Sequence, residues 1–260
     1  MLMTDLIQVT QNFSYVTLTL NRPEKGNALS GPLLQAFLET LNTLSVEKNC
    51  QVLVLTAKGN HFCAGADLAW MQTLTDEKAN RDDAQLLADV LQTLYHFPAP
   101  TLALAQGAIR GGGMGLLAAC NIVIATETAS FGFSEVKLGL TPSIISPYVL
   151  AAMNKRAVEY YFLTGENFTA ADAYRLGFVH KMVKETNLIS AGESLVKQLL
   201  KNAPHALREV KTLIHNIDGE KISAALIQKT AEHLARIRKT PEAKEGIQAF
   251  VEKRDPTWSK

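Results

Sequence analysis

The sequence predicts an α/β fold: an α/β core followed by a helical C-terminal part. Three observations predict it. Short strand-type runs alternate with segments of helical spacing through the first half of the chain, the order that right-handed βαβ crossovers produce. The runs at 51–56 and Thr101–Ala105 are almost wholly apolar, as in strands buried on both faces of a sheet. Beyond about residue 145 the strand signals thin out and helical spacing dominates.

Taken in order, Tyr15-Val16-Thr17-Leu18-Thr19-Leu20 alternates with period two and is stopped by Asn21-Arg22-Pro23, which reads as a strand. Ser30-Gly31-Pro32 opens a helix whose apolar residues Leu34, Phe37, Leu38, Leu41 and Leu44 recur at helical spacing. After the strand at 51–56 and a polar loop, Leu86, Leu87, Val90, Leu91 and Leu94 mark a long helix. The stretch 90–109 is uncharged, but His96, Pro98, Pro100 and Gln106 break it. It therefore reads as a helix end plus a strand, not as a membrane span. A glycine-rich segment at 107–115 opens an apolar helix, and a strand follows at 121–125. Thr169-Ala170-Ala171-Asp172 has the form of a capping box, Gly177 stops that helix, and a short strand is expected at 179–183. Ile222, Leu226, Leu234 and Ile237 mark one late helix, and Thr240-Pro241 starts another that carries Ile247, Phe250 and Val251. No repeat or linker interrupts the pattern, so the expected organisation is a core over residues 1–190 and a helical region over 191–260.

Composition excludes several classes. The 260 residues are 47% hydrophobic and 20% charged, enough apolar content for a packed core and too much for a disordered chain. Lys and Arg number 26 against 25 Asp and Glu, a formal net charge of +1 that lacks the basic excess of a nucleic-acid or anionic-membrane binder. Cys50, Cys63 and Cys120 are odd in number and lack CxxC spacing, which argues against a disulfide framework and suits a reducing, cytoplasmic setting. The N-terminal stretch has Asp5 early and no basic region, unlike a secretory signal. The histidines show no HxH, HxxxH or HExxH spacing, so no metal site is expected, and there is no GxSxG elbow.

Three segments remain that could carry chemistry. In His61-Phe62-Cys63-Ala64-Gly65-Ala66-Asp67-Leu68, small residues leave backbone N–H groups open to a ligand oxygen, although Asp67 also reads simply as a helix cap. Gly111-Gly112-Gly113-Met114-Gly115 opens a helix at high entropic cost, which points to close packing or to an oxygen seated at the helix N-terminus. It is neither a GxGxxG fingerprint nor a phosphate loop, since no Lys follows. In the apolar, glycine-spaced segment from Phe131 to Leu140, Glu135 could have a raised pKa and act as acid or base, or be a solvated loop residue.

Combined, the segments say more. Gly111 follows Gly65 by 46 residues, and Glu135 follows Gly112 by 23. This arrangement resembles the crotonase superfamily of enoyl-CoA hydratases and isomerases, and the resemblance runs from Leu20-Asn21-Arg22-Pro23-Glu24-Lys25-Gly26-Asn27-Ala28-Leu29 to the C-terminal Phe250-Val251-Glu252-Lys253-Arg254. It implies a crotonase-like ββα-superhelix core and a C-terminal helical trimerisation region, hence a homotrimer or dimer of trimers. By position, the N–H groups of Ala66 and Gly112 match the two oxyanion-hole donors that hold an acyl-CoA thioester carbonyl, and Glu135 matches a catalytic carboxylate. Ala64, Asp67 and Leu68 fall in the loop whose backbone groups, in the family it resembles, bind the adenine end of CoA, and Lys25 and Ala28 match positions near its phosphates and pantetheine. Phe250 and Lys253 match positions that reach the CoA of a neighbouring subunit. CoA arrives as part of the substrate, so no separate cofactor is implied.

One departure matters. Two-carboxylate hydratases of the superfamily have a first Glu where this chain has Gly115, so their mechanism does not transfer directly. The stretch from Ser134 to Tyr148 and the ending Ala249-Phe250-Val251-Glu252-Lys253-Arg254-Asp255-Pro256 look like a bacterial subgroup assigned as 3-methylglutaconyl-CoA hydratase in leucine breakdown. On this reading Gly115 leaves room beside C3 for a methyl branch, and Glu135 alone positions water and returns a proton to C2. Arg110 is read as a surface ion-pair residue, with a distal substrate carboxylate as its second possible partner. The alternatives are a Δ3,Δ2-enoyl-CoA isomerase using Glu135 alone, and a catalytically idle acyl-CoA-binding or RNA-associating scaffold.

Overall fold

The computed structural model describes residues 5–47 and 49–259. Of the N-terminal reading, residues 1–4 lie outside the described residues. The large sheet is built from β1 (Ile7–Gln11), β2 (Tyr15–Leu20), β3 (Val52–Ala57), β4 (Thr101–Ala105), β6 (Ile122–Thr126) and β9 (Lys181–Val183), in that spatial order. Only β1–β2 is antiparallel; the remaining pairs are parallel. A small sheet pairs β5 (Ala108–Arg110) with β7 (Ser130–Gly132) and β8 (Asn167–Thr169). Single bridges extend this second layer, Cys63 to Ile109 and Leu29 to Ala66.

Those bridges make the repeating unit visible. Each turn runs along a strand of the large sheet, crosses into the second layer, and enters a helix. β2 leads through Leu29 to α1 (Gly31–Ser45), and β3 through Cys63–Ala66 to α2 (Leu68–Met71) and α3 (Glu77–Tyr95). β4 leads through β5 to α4 (Gly112–Ala119). This is the ββα spiral that the resemblance implies. After β7 the chain forms α5 (Ser146–Ala152), α6 (Lys155–Thr164) and α7 (Ala170–Arg175), then α8 (Leu188–Leu200), α9 (Pro204–Ile217), α10 (Ala224–Arg238) and α11 (Pro241–Glu252).

The doubly buried strands expected at β3 and β4 explain the layering. Leu53, Leu55, Ala103 and Ala105 face the main core under α1, α3 and α4. Their neighbours Val52, Val54, Leu102 and Leu104 face a second cluster completed by Leu188 and Val196 of α8. Gly192 lets α8 approach, since a Cβ there would lie 2.7 Å from Leu104 Cδ1. The sheet-covering helix α8 spans 190/191, so that expected division falls inside an element of the core. No helix among the described residues is long and apolar enough to cross a membrane.

The capping box is present: Thr169 Oγ1 accepts from Asp172 N–H, and Asp172 Oδ2 accepts from Thr169 N–H, both at 3.1 Å. Other expectations shift. The strand expected at 179–183 begins at Lys181, because the His180 ring takes a ladder position: Val123 N–H donates to His180 Nδ1 at 3.1 Å. Burial lowers the His180 pKa, which favours the neutral ring that this bond requires. Ile222 precedes its helix rather than belonging to it, since Ser223 Oγ caps Leu226 N–H.

Candidate active site

The site begins with a turn. Gly26 and Asn27 both take left-handed backbone conformations, at φ 57° and 56°. Asn27 is fully buried and spends its side chain on three bonds. Its Oδ1 accepts from Arg22 N–H at 2.8 Å, and its Nδ2 donates to Lys58 O at 2.9 Å and His61 O at 2.8 Å. This latch holds the 22–29 turn against the loop that follows β3. Replacing Asn27 by Ala strips partners from buried polar groups and strains a left-handed position; a loss of about 3 kcal/mol in urea-unfolding stability is expected.

The loop is pinned further by Ala64 N–H to Gly26 O at 2.8 Å, Leu29 N–H to Gly65 O at 2.8 Å and Asp67 N–H to Leu29 O at 2.9 Å. In that parallel bridge the bonds flank Ala66, so its own N–H points away from Leu29. It finds no acceptor among the described residues. Asp67 is consumed structurally. Arg22 Nη1 donates to Asp67 Oδ2 at 2.6 Å, and Asp67 Oδ1 caps α2 through Trp70 N–H at 3.1 Å. Burial works against the Asp67 carboxylate, but the Arg22 and Trp70 bonds outweigh it and hold the pKa low. The structure thus gives the Asp67 side chain the cap role, while the CoA contact that the resemblance implies for this loop is one of backbone groups and does not draw on that side chain.

The second donor comes from α4. Gly111 has φ 46° and ψ −114°, a backbone region open essentially to glycine, and turns the chain so that Gly112 begins the helix. Gly112 N–H, one of the free first-turn donors, has no acceptor among the described residues. Side chains are excluded around it: a Cβ at Gly112 would lie 2.6 Å from Leu29 Cδ1, and one at Gly113 2.7 Å from Cys63 Cβ.

Glu135 opens a 3₁₀ turn (Glu135–Leu138) after β7. A Cβ at Gly111 would stand 3.1 Å from Glu135 Oε1, which places the carboxyl beside the glycine turn. Glu135 Oε2 is buried without a hydrogen-bond partner, and burial raises the carboxyl pKa. Ala66, Gly112 and Glu135 line one cavity of about 270 Å³, walled by apolar side chains such as Leu29, Met71, Leu87 and Ile145. Two unspent N–H donors can hold a developing oxyanion, and a carboxyl of raised pKa beside them can take or give a proton.

Other expected positions fall in different places. Lys25, Ala64 and Leu68 are exposed and Ala28 is buried, all on the paired segments that carry Ala66. Phe250 is 85% exposed on α11, which packs on α9 and α10, and Lys253 follows it at φ 55°. Among the described residues none beyond Ile145 lines the cavity, so the chain by itself does not bring Phe250 and Lys253 to it. Arg110 makes no ion pair among the described residues; it donates to Ser130 O at 2.5 Å and Ser130 Oγ at 3.0 Å, joining β5 to β7. This internal role replaces the surface ion pair expected of it, and Arg110 is not among the residues that line the cavity.

Gly115 overturns one expectation. It is fully buried and does not line the cavity, and a Cβ there would lie 2.4 Å from Ile145 Cγ2 and 3.2 Å from Leu91 Cδ1. The side chain missing at 115 leaves no open room, because Ile145 fills the place.

Asp83 also lines the cavity, from α3, and was not singled out in the sequence. A signal existed: Asp83 lies four residues before Leu87, on the apolar stripe of its helix, where a charge is out of place. The cysteines stay outside the chemistry, since burial pushes the thiols of Cys50, Cys63 and Cys120 up to about 12.

The family model for enoyl-CoA hydratase/isomerase matches residues 10–260. The chain belongs to the enoyl-CoA hydratase/isomerase family. Among family structures, an enoyl-CoA hydratase from Shewanella pealeana superposes with a TM-score of 0.94 at 39% identity, over 97% of this chain and 96% of that one. Among family sequences, mevalonyl-coenzyme A hydratase of Aspergillus fumigatus is 30% identical over 93% of this chain and 90% of its own length. The 2,3-dehydroadipyl-CoA hydratase of Escherichia coli is 29% identical over 98% and 99%. These family members carry different acyl groups in their names at nearly equal identity, so overall likeness does not select the acyl group. Like them, this chain is an enzyme of the hydratase kind.

Proposed function

We propose that this enzyme adds water across the 2,3 double bond of an enoyl-CoA thioester. The observation that carries the reading is the convergence of two unspent N–H groups and one unpaired carboxyl on a single apolar cavity. The thioester oxygen sits between Ala66 and Gly112 and gains negative charge as C3 is attacked, and donors already in place stabilise it without reorganisation. Glu135 hands its proton to C2, and burial shifts its pKa upward, in the direction that favours the protonated form. Water addition is redox-neutral and calls for no electron carrier; CoA comes with the substrate.

The acyl group we propose is branched, of the 3-methylglutaconyl type in leucine breakdown, on the strength of the stretch from Ser134 to Tyr148. Among the described residues no Lys, Arg or His lines the cavity; its hydroxyl donors are Thr141 and Ser143, whose oxygens lie 2.6 Å apart. Those hydroxyls are the groups available to a distal carboxylate. The test is loss of enoyl-thioester absorbance with crotonyl-CoA and 3-methylglutaconyl-CoA, alongside conversion of a 3-enoyl-CoA. Hydration faster than double-bond migration supports the reading, and migration alone contradicts it. The isomerase alternative draws on position 115, where the absence of a Glu leaves a proton shuttle by Glu135 sufficient.

A homotrimer or dimer of trimers in the cytoplasm completes the proposal. Ile214, Ile227, Ile247, Phe250 and Val251 leave large apolar side chains exposed along α9–α11, more than an isolated surface normally presents. If α11 of a neighbour covers the CoA, Phe250→Ala raises KM about five-fold with kcat nearly unchanged, the pattern of lost uniform binding. Steady-state kinetics checks this, with light scattering for the assembly.

A further inference from the structure

The cavity holds a second carboxylate, supplied by a different element from the one that lost it. Asp83 projects from α3 into the wall that also carries Glu135, Ala66 and Gly112. It is half-buried and positioned: Trp70 Nε1 donates to Asp83 Oδ1 at 2.8 Å. Trp70 is held in turn by Gly31, where a Cβ would lie 2.4 Å from Trp70 Cζ2, so the bare start of α1 is what lets the indole reach Asp83. The anchor uses one oxygen of Asp83. The other, like Glu135 Oε2, has no hydrogen-bond partner among the described residues. A carboxylate fixed through one oxygen, with the other free of protein partners, on the wall of the cavity that Glu135 also lines, is available to bind a water molecule there.

Resting on the hydratase reading, we infer that Asp83 is the water-activating carboxylate of this enzyme, in place of the glutamate absent at Gly115. In the step, a water lone pair forms the O–C3 bond while a water proton passes to the ionised Asp83. The C2=C3 π pair moves toward the thioester and takes the Glu135 proton at C2. The carboxyls exchange charge states, and proton transfer from Asp83 to Glu135 through solvent resets the site. Two carboxyls on different elements divide the acid and base roles, Glu135 beside the glycine turn and Asp83 held by the Trp70 indole N–H.

The test separates water activation from proton handling at C2. Wild type, Asp83→Asn, Asp83→Ser and Glu135→Gln are assayed for hydration of crotonyl-CoA, and for exchange of the C2 proton of saturated butyryl-CoA in D₂O, which needs no attacking water. The inference expects both Asp83 variants to lose about 10²-fold in hydration kcat, within the range for a removed general base, with C2 exchange changed less than about three-fold. Glu135→Gln loses both. Hydration within about three-fold of wild type in either folded Asp83 variant overturns the inference, as does an equal fall of hydration and exchange. A wild-type enzyme inert toward every 2-enoyl-CoA, yet active on a 3-enoyl-CoA, overturns the hydratase reading instead.

Discussion

Replacing Glu135 by Gln is expected to lower hydration kcat by about 10³-fold or more, with acyl-CoA binding retained. The amide keeps the size of the side chain and removes the proton that C2 must receive. The same substitution is expected to stabilise the protein above the ordinary glutamate range. Burial raises the Glu135 pKa, so the folded state holds the proton more tightly than the unfolded state does. Its favourable contribution is complete below the unfolded value and is lost as pH rises through the folded one. Glu135→Gln removes that loss. Melting followed at about pH 8 should therefore show the variant above wild type, and the gain should vanish at about pH 3, below the ordinary glutamate value, where both states are protonated. Lower activity joined to higher stability marks a group kept for chemistry.

The second large effect is on packing. Gly115→Glu restores the residue that two-carboxylate relatives of the superfamily carry, yet it is expected to cost about 3 kcal/mol or more of stability and to yield no efficient hydratase. The new side chain would overlap Ile145 Cγ2, with its Cβ 2.4 Å away, and crowd Leu91 at a buried position of α4. Ile145→Ala alone opens a cavity and is itself destabilising. Combined with Gly115→Glu it should recover part of the loss, because the truncated side chain vacates the space the glutamate needs. Denaturant unfolding of the two single variants and the double gives the coupling directly; purely additive losses would mean that Ile145 does not occupy the glutamate's place.

Much of this was legible in the residues, and the illegible part has a common cause. Alternation at β2 and the apolar runs at β3 and β4 follow from burial on one face or both, which is a local property. The short strands β5, β7 and β8 escape notice because three residues carry no period, and their pairing is made by distant segments. At the site, the glycine run at 111–115 signals a demand on the backbone that close packing would also explain, so Ala66 and Gly112 are singled out as donors only by the resemblance to the crotonase superfamily. Glu135 could be noticed as a carboxylate in apolar surroundings. Ile145 could not: its bulk is apolar like its neighbours, and its meaning appears only against Gly115 on α4. Asn27 reads as an ordinary turn residue until the three groups it bonds are brought to it from positions 22, 58 and 61.

The central claim is that a thioester oxygen is held by two main-chain donors while carboxyl groups manage the protons. A crystal structure with a bound acetoacetyl-CoA tests it most directly. The account predicts the thioester oxygen within about 3 Å of both the Ala66 and Gly112 nitrogens, with the Glu135 carboxyl over C2. An oxygen bonded to neither nitrogen, or a Glu135 carboxyl turned away from the acyl carbons, would contradict it.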